Sequence, residues 1–192
     1  MASIALAEEV TGELAGLAMS GASLVVNVIK SNEYFEHGAD EIAIMLSAYP
    51  GAEPRALGKG ASGGELSRIM LAIEVVLARG GDVPTFIFDE VDAGVGGAAA
   101  IEVGRRLAKL SQQAQVIVVT HLAQVAAYAD NHLRVLKSVN SEYTVSDVVT
   151  LTGGDRVEEL ARMLSGLSDS GAARIHAHEM LVRASSEFGS QN

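Results

Sequence analysis

Apolar positions along this chain change their spacing several times, and each change marks an element. Residues 4–17 are rich in Ala, Glu and Leu and predict a helix, weakened by Gly12 and Gly16 and begun without a capping residue. The run Leu24-Val25-Val26-Asn27-Val28-Ile29 predicts a strand. Residues 31–39 read as a polar turn region and residues 41–47 as a second, antiparallel strand. Two prolines and a glycine in Tyr49-Pro50-Gly51-Ala52-Glu53-Pro54 mark a loop. From Glu65 the spacing lengthens. Leu66, Ile69, Met70, Ile73, Val76 and Leu77 recur at helical intervals until Gly80-Gly81 ends the run.

The centre of the chain alternates. Phe86-Ile87-Phe88 and Val116-Ile117-Val118-Val119-Thr120 are continuous apolar strands, as covering of both faces by helices produces. Residues 98–110 lie between them as a helix with Ile101, Leu107 and Leu110 inward. A short helix over 122–129 follows, then strands over 133–137 and 143–151 joined by a turn at Asn140-Ser141. Helices over 157–164 and 172–188 close the pattern. This alternation predicts an α/β fold built on a mostly parallel sheet flanked by helices, with a short antiparallel part.

Composition narrows the reading. With 192 residues and 48% hydrophobic positions the chain can form a packed domain, and 4% aromatics without Trp make its core aliphatic. The absence of Cys excludes disulfides and thiolate metal sites and fits a reducing, cytoplasmic setting. No basic leader opens the chain, and no run approaches the roughly eighteen apolar residues of a membrane span, so a soluble chain without a membrane partner is expected. A formal charge of −10 disfavours a broad DNA-binding face. Only Arg105, Arg106 and Lys109 approach a basic cluster.

Candidate chemistry sits between Ala61 and Gly97, and at His121. Ser62 three residues before Glu65, ahead of a periodic apolar run, is a capping box. Gly63 and Gly64 inside it leave first-turn N–H groups uncovered, so an anion can approach a helix N-terminus. About two dozen residues later, Phe86-Ile87-Phe88-Asp89-Glu90 delivers two carboxylates at the carboxyl edge of a parallel sheet. One carboxylate can hold Mg²⁺ through water and the other can polarise an attacking water. His121 ends the next buried strand. The remaining histidines, His37, His132, His176 and His178, receive no role, the last two pointing to different helix faces.

In that order these features resemble the SMC-like branch of the ABC ATPases. Ser62-Gly63-Gly64-Glu65-Leu66-Ser67-Arg68 resembles the signature motif, Phe86 to Glu90 a Walker B motif with its catalytic Glu, Asp92-Ala93-Gly94-Val95-Gly96-Gly97 the D-loop, and His121 the switch histidine that contacts the γ-phosphate. The flanking strings are similar to the RecN family of bacterial DNA repair proteins. They are Ala61 to Ala72, Phe88 to Gly97, Thr120-His121-Leu122-Ala123-Gln124-Val125-Ala126-Ala127, and Arg156-Val157-Glu158-Glu159-Leu160-Ala161-Arg162-Met163-Leu164. Ala98 departs from the pattern, where a basic residue is expected after the D-loop glycines.

The resemblance implies the C-terminal lobe of an ABC/SMC-type P-loop NTPase head. It gives Glu90 and His121 catalytic roles, Ser62, Gly63, Gly64, Glu65 and Asp92 nucleotide contacts, and Asp89 a water-mediated Mg²⁺. ATP and Mg²⁺ are the implied cofactors. The implied domain plan is a remnant of the coiled-coil arm over 1–20, the ATPase lobe over 21–188 and a frayed tail over 189–192.

No Gly-x-x-x-x-Gly-Lys-[Ser/Thr] phosphate loop occurs in the chain. Its nearest decoy, Gly51 to Gly60, has glycines seven apart and Gly60 where the Mg²⁺-binding hydroxyl belongs. The expectation is therefore half a nucleotide site. Its partners would be an N-terminal Walker A half-head, a second head through homodimerisation, and DNA bound by the complete, nucleoid-associated assembly. Two alternatives stand beside it: a non-catalytic docking or regulatory lobe, and the lobe of another SMC-like ABC ATPase.

Overall fold

A computed structural model describes residues 2–36, 38–59, 61–78, 84–139, 144–166 and 170–188. The chain divides into two compact units, residues 1–120 and 121–192.

The first unit opens with helix α1 (Ala2–Gly16), which packs on strand β1 (Ser23–Phe35). Strand β2 (Gly38–Ser47) pairs antiparallel with β1 from Ser23↔Ser47 to Lys30↔Asp40, and again at Phe35↔Gly38 after an irregularity. A two-residue strand β3 (Arg55–Ala56) adds to β2, followed by a single 3-10 turn at Leu57–Lys59. Helix α2 (Gly63–Leu77), strand β4 (Thr85–Phe88), helix α3 (Gly97–Ser111) and strand β5 (Gln115–Val118) complete the unit. Helix α1 also packs on α2 and α3, and Val10, Leu14, Leu17, Ile69, Leu71, Val91 and Val103 are wholly buried. Arg106 of α3 pairs with Glu13 of α1 at 2.8 Å and with Glu102 at 2.6 Å. Gly16 makes room for that guanidinium, since an added Cβ would collide with it. The glycine that weakened α1 as a prediction thus has a packing reason.

The second unit contains helix α4 (Ala123–Ala126), strands β6 (His132–Val139) and β7 (Thr144–Leu151), and helices α5 (Gly153–Ser165) and α6 (Gly171–Phe188). Its core joins Ala123, Ala126, Ala127, Leu160, Ala161 and Ala177. Arg156 caps the end of α4 by donating from Nη2 to the carbonyls of Ala126, Ala127 and Ala129. Glu159 is only 5% exposed and is paired with Arg162 at 2.6 Å and Arg134 at 3.2 Å. The hydrogen bonds from Arg162 hold its carboxyl below the usual carboxylate range against the opposing effect of burial, and Arg134 adds to them. No helix among the described residues is long and apolar enough to cross a membrane.

The expected mostly parallel sheet is wrong. Among the described residues, five of the seven strands lie in antiparallel ladders, β1–β2–β3 and β6–β7, and only β4 and β5 pair in parallel. The reason is connection length. Residues 36–37 link β1 to β2 and residues 140–143 link β6 to β7, too short for a parallel crossover, which needs a dozen residues or more. The segment between β4 and β5, residues 89–114 with α3, is long enough for the one parallel pairing among the described strands. The polar stretch 31–39 is mostly strand, because β1 runs on to Phe35 and β2 begins at Gly38. The glycines placed at the end of α2 and the Asn140-Ser141 turn lie outside the described residues.

Candidate functional site in the first unit

The site is assembled from the start of α2 and the turn after β4. Ser62 caps α2: its Oγ accepts the Glu65 N–H, and Glu65 Oε2 accepts the Ser62 N–H at 2.8 Å and its hydroxyl at 2.9 Å. The predicted capping box is present in full. The Ser62 N–H, and after it the Ser62 hydroxyl, hold the Glu65 carboxyl below its usual range.

Replacing Ser62 by Ala is expected to cost about 1 kcal/mol and lower the melting temperature by about 2–4 °C. A carboxyl whose folded pKa is depressed stabilises the fold above its unfolded pKa and loses that contribution as pH falls through the folded value. The gap between parent and variant should therefore narrow on acidification below about pH 4, readable by thermal melts across pH.

The glycines of the box are already occupied from within the chain. A Cβ on Gly63 would lie 2.8 Å from Glu90 Oε2, so the Glu90 carboxylate rests over the first turn of α2. A Cβ on Gly64 would lie 2.8 Å from the Ala93 carbonyl oxygen and 3.2 Å from that of Glu90. Backbone here approaches backbone, and only glycine permits it.

Two further groups on α2 grip the same turn. Ser67 Oγ donates to the Asp89 carbonyl at 2.9 Å, and Arg68 Nη1 donates to the Ala93 carbonyl at 2.7 Å. Arg68 is 5% exposed, and burial pulls its guanidinium below the ordinary value while Glu65 pushes it back. Sequence reasoning passed over both residues, although a signal existed for Arg68. It shares a stripe with Gly64, Leu71, Ala72 and Val75, all buried, so a charged side chain stands at a core position. Met70 and Leu77, two of the apolar positions at helical spacing, are exposed, because the buried face is rotated toward that stripe.

The acidic turn itself is compact. Asp89 Oδ1 accepts the Glu90 N–H at 3.0 Å, and the Ala93 N–H bonds the Glu90 carbonyl at 3.0 Å. Glu90 has φ +58°, a left-handed conformation that costs a non-glycine residue about 1–2 kcal/mol. Strain of this kind collects at functional positions, where surrounding contacts enforce it. Asp89 and Glu90 are exposed, whereas Asp92 is 2% exposed and accepts the Thr120 hydroxyl at 2.5 Å. The structure thus gathers Ser62, Gly63, Gly64, Glu65, Asp89, Glu90 and Asp92 in one region of the first unit. His121 follows Thr120 in the chain, is exposed, and belongs to the second unit.

Among the described residues no cluster of three or more His, Asp or Glu can hold a metal. Mg²⁺ commonly takes one or two carboxylates, waters and substrate phosphates. Exposed Asp89 fits an ion that arrives with a nucleotide and does not make a resident site.

The fold is that of an SMC-type head domain. The head domain of Smc from Pyrococcus yayanosii superposes with a TM-score of 0.61 at 24% identity, covering 84% of this chain and 29% of that one. A structure from work on ATP-driven dimerisation and DNA-stimulated activation of SMC ATPases gives 0.52 at 23% identity, over 85% and 94% of the two chains. No protein-family model matches the chain. The DNA repair protein RecN of Streptomyces coelicolor is 52% identical over 190 residues, 93% of this chain and 33% of that protein. RecN of Mycobacterium leprae is 48% identical over 199 residues, 93% of this chain and 34% of that protein. Over the stretch it covers, the chain belongs to the RecN family, and it spans about a third of the length of these relatives.

Proposed function

We propose that the chain is the C-terminal ATPase lobe of a RecN-type protein, acting in recombinational repair of DNA double-strand breaks once paired with an N-terminal Walker A half. The observation that carries the pairing is the apolar face of β4 and β5. Ile87, Ile117 and, just past β5, Val119 are 71%, 45% and 60% exposed, although both strands have the apolar sequence of covered ones. The interior strands of a parallel sheet need helices or further strands on both sides. A complementary half-head supplies that cover, together with the phosphate loop that this sequence lacks.

In the complete head, Glu90 orients and polarises the attacking water, and His121 contacts the γ-phosphate. Asp89 meets Mg²⁺ through water. Ser62, Gly63, Gly64 and Glu65 form the edge that faces a nucleotide held by a second head, so two heads close around ATP. Mg²⁺ bound with the nucleotide would neutralise charge that develops on the phosphates. DNA is engaged by the assembly, since this lobe carries 24 acidic against 14 basic residues. A cytoplasmic, nucleoid-associated location follows from that role.

The test is complementation. The chain alone is expected to turn over ATP at background rate, because positioning and phosphate binding contribute most of phosphoryl-transfer catalysis. Adding a purified N-terminal Walker A half from a RecN relative should restore steady turnover. Turnover by the chain alone, or none after the halves demonstrably associate, overturns the reading.

A further inference from the structure

We propose that Asp92 is a positioning residue: through Thr120 it ties the turn bearing Glu90 to the end of the strand that leads into His121. The inference rests on the ATPase-lobe reading but assigns Asp92 a role other than contacting nucleotide. Its carboxylate is 2% exposed, and its Oδ2 accepts the Thr120 hydroxyl at 2.5 Å. A buried carboxylate is costly unless hydrogen-bonded, and O–H···O⁻ bonds of this length are among the strong ones. Buried negative charge is also poorly suited to receiving an anionic phosphate.

The bond completes a frame. On one side, Ser67 and Arg68 hold the Asp89 and Ala93 carbonyls to α2. Within the turn, the Ala93 N–H reaches the Glu90 carbonyl and the Val95 N–H reaches that of Asp92. On the other side, the Val119 N–H donates to the Phe88 carbonyl at 3.0 Å, extending the β4–β5 ladder one step past its last pair. Thr120 then adds the side-chain bond at the next residue, immediately before His121. The left-handed Glu90 is thus held from both flanks, and the second flank is the Asp92–Thr120 pair.

The experiment uses the reconstituted head with Thr120→Val, Thr120→Ser, Asp92→Ala and the double variant Asp92→Ala/Thr120→Val, with Glu90→Gln as control. Loss of a hydrogen bond to a charged group is expected to lower kcat roughly 10-fold or more in Thr120→Val, with KM for ATP unchanged. Thr120→Ser, which keeps the hydroxyl, should retain parental kcat. The double variant should lose about as much as Asp92→Ala alone, since both remove one bond. A raised KM in Asp92→Ala with Thr120→Val unaffected would make Asp92 a nucleotide ligand and overturn the inference. If Glu90→Gln abolishes turnover but Thr120→Val leaves kcat intact, the inference fails and the ATPase reading stands. If turnover survives Glu90→Gln, the ATPase reading fails.

A second measurement needs neither ATP nor a partner. In the 192-residue chain, amide exchange at Ala93 and Val95 should accelerate roughly 10-fold in Thr120→Val and not in Thr120→Ser. Thr120→Ala, which carries no risk of overpacking, is read in the same way. Unchanged exchange in both hydroxyl-free variants overturns the tether.

Discussion

ATP turnover by the reconstituted head is expected to fall by roughly 10²–10⁴-fold when Glu90 is replaced by Gln, the range spanned by a lost general base. Nucleotide affinity should stay near the parental value, because in the proposed head the phosphates are held by the Walker A half. Steady-state kinetics beside nucleotide-binding titrations separate the two quantities. The backbone makes the substitution more informative than usual. Gln keeps the side-chain length and the left-handed φ of +58°, so any change in turnover belongs to the lost carboxylate. Glu90→Gly relaxes the backbone instead. Relief of the left-handed conformation, worth about 1–2 kcal/mol, is partly offset by the entropy of glycine, about 0.5–1 kcal/mol. Stability should then hold within about 1 kcal/mol while turnover is lost. A residue kept for activity against a local conformational cost leaves that signature.

The elements that carry chemistry were the most legible in the sequence, because their signals are local. Ser62 and Glu65 sit three apart ahead of an apolar run, and the capping box forms as that spacing requires. Phe86 to Glu90 reads as a strand ending in two acids, and β4 with its exposed Asp89-Glu90 turn matches. The antiparallel pairing of residues 41–47 was expected, but the balance of the strands was misjudged as mostly parallel, because strand composition does not record direction. Connection lengths do, and the short links at residues 36–37 and 140–143 already required antiparallel pairing.

The contacts between elements were the least legible. Nothing in the spacing of Thr120 and Asp92, 28 residues apart, announces a hydrogen bond. Gly64 was read as clearing space for an anion. Its Cβ position is instead filled by the Ala93 carbonyl, a neighbour brought in by the fold. Such pairings depend on how β4, β5 and α2 meet, and periodicity does not encode that. Arg68 is intermediate: a cation on a buried stripe signals a specific partner without naming it.

Substitutions at the two adjacent glycines should therefore fail in different ways. In Gly64→Ala the new methyl would meet the Ala93 carbonyl oxygen at 2.8 Å and the Ala93 Cβ at 2.9 Å, so α2 and the turn must separate. Overpacking of this kind costs about 1–3 kcal/mol, which lowers the melting temperature by roughly 2–12 °C for a chain of this size. The Ser67 and Arg68 bonds to the turn lengthen with that separation, and Glu90 moves with them. In Gly63→Ala the new methyl meets only the Glu90 carboxylate, the far end of a flexible side chain. The fold can yield there by rotating one side chain, so the melting temperature should change little. The displaced group is the carboxylate proposed to polarise the attacking water, and a misplacement on the order of 1 Å can cost about 10²-fold in rate. Melting curves and turnover measured side by side should show Gly64→Ala losing both stability and activity, and Gly63→Ala losing activity alone. If Gly63→Ala proves as destabilising as Gly64→Ala, the carboxylate over the first turn of α2 is a rigid packing element, and its assignment to the attacking water loses its geometric support.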